Sequence, residues 1–347
     1  MSYVYLAVVI TCAFALSWFM KKIHLPGLIG MMITGIIMGP YALDLIDPSI
    51  IGISADLRQF ALMIILARAG LALDIETLKR IGKPAILMSF IPPGLEIGAV
   101  TLFAPMFFPI THLDAAIMGA VLSAVSPAIV VPRMLKMLEN GQDTEKGIPQ
   151  IIMAATSVNG IFAIVLFTMF LWVEGSGGGS TMIWRSAILP LVTVIAGAVI
   201  LKRFSDFAAQ LSKILSKVWI PTEFMLFVLV GASINVGYVA GVSINAIALI
   251  VTALIFRISS VSLCFIGSQL NFKERIFCAI AYLPKATVQA AIGGTALAVG
   301  MEAGHFILHV AVLAILITAP LGALGIDFMR LQVFGWSIKE NMTHTEQ

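Results

Sequence analysis

The sequence predicts an all-α polytopic membrane protein; its composition, its long apolar runs and the placement of its charges indicate this class. Of the 347 residues, 60% are hydrophobic and only 11% are charged, and the mean hydropathy is +1.03. A water-soluble domain of this length needs a much larger charged surface. The chain offers no catalytic, metal-binding or cofactor-binding constellation. We therefore expect a protein of the lipid bilayer that is not an enzyme, needs no cofactor and binds no nucleic acid.

Eleven apolar runs, each near the ~20 residues that a helix needs to cross a bilayer, follow one another along the chain. They lie at residues 3–20, 25–40, 59–74, 84–108, 114–138, 150–172, 183–201, 221–240, 242–268, 276–300 and 303–325. Residues 204–219 mix apolar and basic side chains and predict an interfacial amphipathic helix. Residues 1–330 are thus predicted to form a single membrane domain, followed by a short cytoplasmic tail at 331–347.

Basic residues occupy every second loop between these spans. Sixteen Lys or Arg residues lie in those loops, whereas the alternate loops hold only Arg58 and Arg185. Cytoplasmic loops of membrane proteins carry the excess of Lys and Arg. The sequence therefore predicts an outside N-terminus and a cytoplasmic C-terminus in the plasma membrane. The alternation also supports the span count, because one missed span would reverse it.

Four ionisable side chains lie deep in the predicted spans: Arg68, Glu96, Arg257 and Lys285. An Arg or Lys at the centre of a bilayer costs ~2.5–3.5 kcal/mol against lipid, so these groups must face protein or a water-filled cavity. Glu96 is the only acid among them and can fully compensate a single cation. We expect it to pair with one of the two arginines. At least one other cation then needs backbone carbonyls, water, a substrate or the loss of its proton.

Two proline-containing segments predict interruptions of membrane helices. Pro127 removes a backbone hydrogen bond in span five and frees a carbonyl group. A single proline can simply kink a membrane helix. A Ser126-Pro127 pair that precedes the polar run at 156–159 fits better with a discontinuous helix lining an ion site. The segment 284–289 in span ten repeats the pattern, with a proline, a cation and two polar groups.

Seven short motifs occur in order along most of residues 25–300. They are LPGLIG at 25–30 with Gly39-Pro40, RAGLALD at 68–74, IPPGLE at 91–96, AVSPAIVVPRML at 124–135, KGIPQ at 146–150, LFVLVGA at 226–232 and LPKATVQAA at 283–291. At these residues the chain resembles the monovalent cation/proton antiporter superfamily, in its sodium/proton exchanger branch. The resemblance implies two inverted-topology repeats, divided into a dimerisation domain and a core domain with two crossed, broken helices.

The resemblance also implies roles for individual residues. Span five would be one broken helix. Span nine would be the other, with Arg257 paired to Glu96, and Lys285 would lie beside the ion site. In the family, a carboxylate pair or an Asn-Asp pair occupies the positions of Asn159 and Gly160, and the second acid alternately binds the cation and protons.

The chain departs from the family at that second acid. Asn159 offers a carbonyl oxygen but cannot titrate, and Gly160 has no side chain. The chain also looks shorter than the family between spans six and eight, by about two helices of ~20 residues.

Three functional hypotheses stay open. The first is a secondary transporter, a homodimer that exchanges Na⁺ or Li⁺ for protons and is impaired by the missing acid. Its ligands would be backbone carbonyls around Pro127 together with Ser126, Asn159, Thr156 and Ser157. The second is a transport-silent homologue that binds partners or lipid. The third is an anion transporter, since three deep cations face one acid. It ranks last because the sequence indicates no positive half-helix site.

Overall fold

The computed structural model describes residues 2–72, 82–142, 146–175 and 205–344, and every regular element in these ranges is a helix. The fourteen helices described there are α1 (Ser2–Lys22), α2 (Gly27–Met38), α3 (Pro48–Gly52), α4 (Ser54–Ala72), α5 (Lys83–Phe107), α6 (His112–Ser123), α7 (Pro127–Glu139), α8 (Ile148–Gly175), α9 (Ser205–Ala232), α10 (Val236–Cys264), α11 (Phe272–Ala281), α12 (Thr287–Ile292), α13 (Thr295–Ala298) and α14 (Gly304–His344).

Seven stretches of the described residues are long and apolar enough to cross a membrane. They are Tyr5–Lys22, Lys83–Phe107, His112–Glu139, Ile148–Glu174, Gln210–Ala232, Ile244–Cys264 and Gly304–Phe334. The shorter apolar helix α2 adds a candidate of 12 residues. The predicted count of eleven is not confirmed, and the predicted span at 183–201 lies outside the described residues.

Capping boxes start two of the helices that frame the centre of the protein. At the start of α6, the Thr111 hydroxyl accepts a hydrogen bond from the Asp114 amide, and the Asp114 carboxylate accepts one from the Thr111 amide. Asn271 and Glu274 make the same reciprocal pair at the start of α11. Such boxes satisfy amide groups that lack a partner in the first helical turn, so they fix where each helix begins.

The segment predicted as a separate interfacial helix is instead the first part of α9. That helix runs without interruption through Pro221 and ends at Ala232, short of the predicted residue 240. The amphipathic part does not stand alone, because Leu211 and Leu215 pack around Leu71 of α4. Tertiary contacts therefore hold this segment in line with the membrane helix that follows.

Close backbone contact joins α2 to α9. A Cβ atom at Gly35 would overlap the carbonyl oxygen of Val228, and one at Gly231 would overlap the carbonyl oxygen of Met32. Each glycine therefore lets the backbone of the other helix approach, as small residues do at helix interfaces in membranes. This pair lies to one side of the charged centre, which is formed by α5, α6, α7, α8, α10 and the segment from α11 to α12.

Two helix breaks meet at the centre. The first separates α6 from α7 at residues 124–126, as predicted for span five. The second lies between α11 and α12 at residues 282–286, so span ten is the other broken helix. The expectation that span nine is broken is wrong: α10 runs continuously from Val236 to Cys264. The physical reason is Pro284, which lacks an amide hydrogen, whereas α10 contains no proline.

Candidate functional site

Backbone and amide hydrogen bonds hold the two breaks against each other. The Ser126 amide donates to the Pro284 carbonyl oxygen over 2.8 Å. Gln289 accepts from the Ala286 amide over 2.8 Å, which fixes the chain as it enters α12. The methylene group of Pro284 lies so close to Gly322 of α14 that a Cβ atom at that glycine would overlap it. The breaks are thus parts of one crossing.

The first break leaves the carbonyl groups at the end of α6 without helical partners. Pro127 has no amide hydrogen, and the amides of Val125 and Ser126 donate elsewhere, to Asn159 over 2.8 Å and to Pro284. Carbonyl groups at a helix C-terminus carry partial negative charge and attract donors and cations. The four carbonyls of residues 121–124 therefore need partners from other elements.

Three side chains supply those partners. The Gln289 amide nitrogen donates to the carbonyls of residues 121 and 124, over 3.1 and 2.7 Å. The Lys285 ammonium group donates to the carbonyl of Leu122, and the Arg257 guanidinium group donates to that of Ser123. All four carbonyl oxygens are thereby engaged by protein donors. Each carbonyl oxygen keeps a second lone pair, so the expectation that backbone carbonyls around Pro127 serve as cation ligands stays a prediction.

We call Glu96, Arg257 and Lys285 the charged cluster. Their relative exposures are 0%, 0% and 1%, so the groups are sealed from solvent. Arg257 contacts one carboxylate oxygen of Glu96, and the Lys285 Nζ atom lies 2.6 Å from the other. The structure therefore contains the pair of Glu96 and Arg257, but the acid is shared with a second cation. The Lys285 amide also donates to the Thr318 hydroxyl over 3.0 Å, which fixes its backbone.

We call Ser126, Thr156, Asn159 and Tyr282 the neutral cluster, and all four are fully buried. Among the described residues, the Ser126 hydroxyl and the Asn159 side-chain nitrogen have no hydrogen-bond partner. The Thr156 and Tyr282 hydroxyls interact with each other, but neither makes a hydrogen bond of normal geometry with a described residue. Buried polar groups without partners are rare in native proteins, so Ser126 and Asn159 call for an explanation.

The orientation of the Asn159 amide follows from its neighbour. A backbone amide can only donate, so the Asn159 atom that receives the Val125 hydrogen must be the oxygen. That oxygen was the expected cation ligand, and the structure engages it within the protein. The nitrogen, which can only donate, is the atom left without a partner among the described residues. Asn159 therefore presents a hydrogen-bond donor to the crossing.

Beside Asn159 there is open space. A Cβ atom built at Gly160 would meet no atom within 4 Å, although the residue is buried. A methyl-sized side chain therefore fits here without displacing a neighbour among the described residues. Ser157, by contrast, is half-buried and donates to the carbonyl of Met153 over 3.0 Å in its own helix. It does not belong to the neutral cluster.

Arg68, the remaining deep cation, lies elsewhere. Its guanidinium group sits 5.3 Å from the centre of the Trp219 ring, and it interacts electrostatically with Glu223. An aromatic face and a nearby carboxylate both stabilise a guanidinium group. Arg68 is therefore stabilised at the interface of α4 and α9. Glu96 pairs with the other two deep cations, Arg257 and Lys285.

Comparison with known proteins assigns the chain to a family. The sequence pattern described as "Sodium/hydrogen exchanger, transmembrane" matches residues 7–215 and 190–330. The chain belongs to the sodium/hydrogen exchanger family. Sodium/hydrogen exchanger 9B1 of Mus musculus is 32% identical over 370 residues, covering 88% of this chain and 65% of that protein. Sodium/hydrogen exchanger 9B2 of Mus musculus is 30% identical over 374 residues, with 88% and 68% covered.

The fold has a solved counterpart. The sodium proton antiporter MjNhaP1 from Methanocaldococcus jannaschii, in its structure at pH 8, superimposes with a TM-score of 0.71 at 18% identity. The match covers 96% of this chain and 99% of that one. The exchanger-family chain thus has an antiporter fold, and with its seven apolar stretches it is an integral membrane protein. It spans just under two thirds of the mouse 9B1 relative, 65% of its length.

Within this exchanger-family chain, most of the predicted site residues come together. Ser126, Pro127, Thr156 and Asn159 lie at the crossing, with Gly160 beside the open space. Two residues of the crossing were not singled out as site residues. Gln289 belongs to the polar turn after Pro284, which was a usable signal. Tyr282 follows a helix end and gave no signal, because an aromatic residue in an apolar span usually packs in the core.

Proposed function

We propose that this chain is a secondary active transporter of the sodium/proton exchanger type, with Na⁺ or Li⁺ and protons as its substrates. The observation that carries this proposal is the crossing of two broken helices, with unpartnered polar groups beside Gly160. Discontinuous helices place ion sites of secondary transporters near the middle of the membrane. The names of the mouse relatives and the fold of MjNhaP1 support the same activity.

We further propose that coupled exchange is close to background in the chain as it stands. Exchange needs one group that ligates the cation and takes up a proton when the cation leaves. Glu96 is held between two cations, and neither Asn159 nor a hydroxyl group can titrate in this way. A homologue that had given up ion binding would be expected to close the space with apolar side chains. The open space at Gly160 therefore favours a transporter without its acid over a silent homologue.

The proposal includes the placement of the chain in its membrane. We propose an outside N-terminus and a cytoplasmic C-terminus, which the alternation of basic loops supports, and a place in the plasma membrane with residues 1–330 as one domain. The cytoplasmic tail at 331–347 would begin within α14, which continues to His344. We propose a homodimer, as the resemblance implies.

Everted vesicles from cells without sodium exporters test this function through Gly160→Asp. The Cβ position of Gly160 is open, and we expect the new carboxylate to be accommodated there, so this variant should release protons when Na⁺ or Li⁺ is added. Gly160→Asn is the matched control, since it fills the same space without a titratable group. The unmodified chain and the Asn variant should stay near background.

Two outcomes would overturn the proposal. Robust exchange by the unmodified chain would show that another group carries the proton, with Lys285 the first to examine. A Gly160→Asp variant that folds, reaches the membrane and still releases no protons would show that the acid is not what the site lacks.

A further inference from the structure

The charged cluster contains more positive than negative charge. Arg257 and Lys285 are two formal cations, Glu96 is one formal anion, and none of the three is more than 1% exposed. An uncompensated charge in a buried site is costly, and neutral carbonyl partners offset only part of that cost. A second negative charge near the crossing would lower the free energy of the folded state. In the family, the carboxylate that Gly160 replaces could supply it.

A positive helix end lies at the same place. Helix α7 has 13 residues and begins at Pro127, and its N-cap residue, Ser126, makes no side-chain capping bond. The N-terminus of a helix carries partial positive charge and favours anions. The sequence had not indicated a positive half-helix site, which was the reason for ranking anion binding last. The break between α6 and α7 provides a helix N-terminus, although Pro127 has no amide hydrogen there and the Ile129 amide donates to the Ser126 carbonyl, so what it offers is chiefly the helix dipole.

The neutral cluster supplies donors beside this helix end. The Asn159 nitrogen can only donate, and the hydroxyls of Ser126, Thr156 and Tyr282 can each turn a hydrogen toward a ligand. All four side chains are fully buried. The Val125 amide holds Asn159 at the crossing, and Thr156 lies beside Tyr282.

A cation fits the same place less well. Na⁺ needs several oxygen ligands, and it prefers carboxylate and carbonyl oxygens. The Asn159 oxygen and the carbonyls of residues 121–124 are engaged by protein donors. Among the acceptors at this break, the three hydroxyls of the neutral cluster and the Val125 carbonyl remain, near the two cations of the charged cluster. The unmodified site therefore offers donors and positive charge where a cation needs acceptors and negative charge.

We propose that a small monovalent anion, of the size and charge of chloride, binds beside Gly160 in the unmodified chain and takes the place of the family's carboxylate. Donation from the neutral cluster, the α7 N-terminus and the excess charge of the charged cluster hold it there. The anion stays bound at the site and need not be transported. This proposal concerns the same site as the activity proposed above, but it does not depend on that activity, because it concerns anion binding by the unmodified chain alone.

The test uses the full chain in detergent micelles and two readouts, the unfolding temperature and the equilibrium binding of radiolabelled chloride. Sodium chloride, choline chloride and sodium gluconate are compared at equal ionic strength. The unfolding temperature should rise saturably with chloride, whichever cation accompanies it, and labelled chloride should bind. Bromide should compete with the label, and gluconate, which is much larger than chloride, should not.

Two variants locate the site. Gly160→Asp places a carboxylate in the space, so it should lose both the chloride binding and the chloride-dependent rise in unfolding temperature. Gly52→Asp adds the same charge in α3, where a Cβ atom also meets nothing within 4 Å, and should keep both. Stabilisation that follows sodium instead of chloride would overturn the proposal. So would an absence of bound chloride, or chloride binding that persists in Gly160→Asp.

Discussion

The charged cluster and the neutral cluster lie at the same helix crossing, but they satisfy their polar atoms in opposite ways. In the charged cluster, Glu96 contacts both cations, and each cation also donates to a carbonyl at the end of α6. In the neutral cluster, four buried side chains each keep a polar atom without a normal hydrogen bond among the described residues. One cluster is complete within the protein, and the other is not.

This difference separates what builds the crossing from what binds at it. A complete buried network resists change, because removing any member leaves a charge or a carbonyl without a partner. Incomplete groups cost stability in every folded molecule unless a ligand or ordered water reaches them. The charged cluster therefore serves as the frame of the crossing, and the neutral cluster with Gly160 is where a ligand belongs.

The largest effect on stability should come from Glu96→Gln. Removal of the acid leaves Arg257 and Lys285 buried without a countercharge, and an unpaired buried charge typically costs ~3–5 kcal/mol. The free energy of unfolding in mixed micelles measures this loss. The double variant Glu96→Gln with Arg257→Gln removes one charge of each sign. It restores the original net charge of the cluster, and should lose less stability than Glu96→Gln alone.

Equal losses in the single and the double variant would mean that Glu96 does not compensate these cations. The charged cluster would then not stabilise the crossing, and the proposed difference between the two clusters would no longer hold.

A smaller effect compares one residue from each side of the crossing. Gln289→Leu removes the partner of the Ala286 amide and of the carbonyls of residues 121 and 124, and at the low end of the cost of an unpaired buried group, ~1 kcal/mol each, the total loss should be ~3 kcal/mol. Thr156→Val removes a hydroxyl without a normal hydrogen bond, so its cost should stay below ~1 kcal/mol. Both are measured by unfolding in gluconate, so that no chloride contributes. Similar losses for the two variants would show that Thr156 is tied into the crossing.

The sequence predicted the helix breaks and the charged residues of this site better than the contacts between them. Pro127 and Pro284 marked the two breaks, because a proline lacks the amide hydrogen that continues a helix, although α9 continues through Pro221. The same reasoning should have excluded span nine, whose polar residues lie in an unbroken helix. The four deep charges were also visible, since their cost in lipid does not depend on the fold.

The contacts between these residues depend on how distant segments pack, which no local sequence pattern shows. Glu96, Arg257 and Lys285 come from three separate segments, and only their packing shows that one carboxylate serves two cations. The Asn159 oxygen looked like a cation ligand because its partner, the Val125 amide, becomes available only where α6 ends. The predicted interfacial helix was joined to α9 for a similar reason, through contacts with α4.

The central claim is that the unmodified chain has no group that trades a cation for a proton, and proton release from the purified protein tests it most directly. Sodium ions are added to the full chain in weakly buffered detergent solution, and a pH indicator reports any protons released. The unmodified chain should release none, whereas Gly160→Asp should release protons as sodium binds. Sodium-dependent proton release by the unmodified chain would contradict the account and would point to Lys285 or Glu96 as a titrating group.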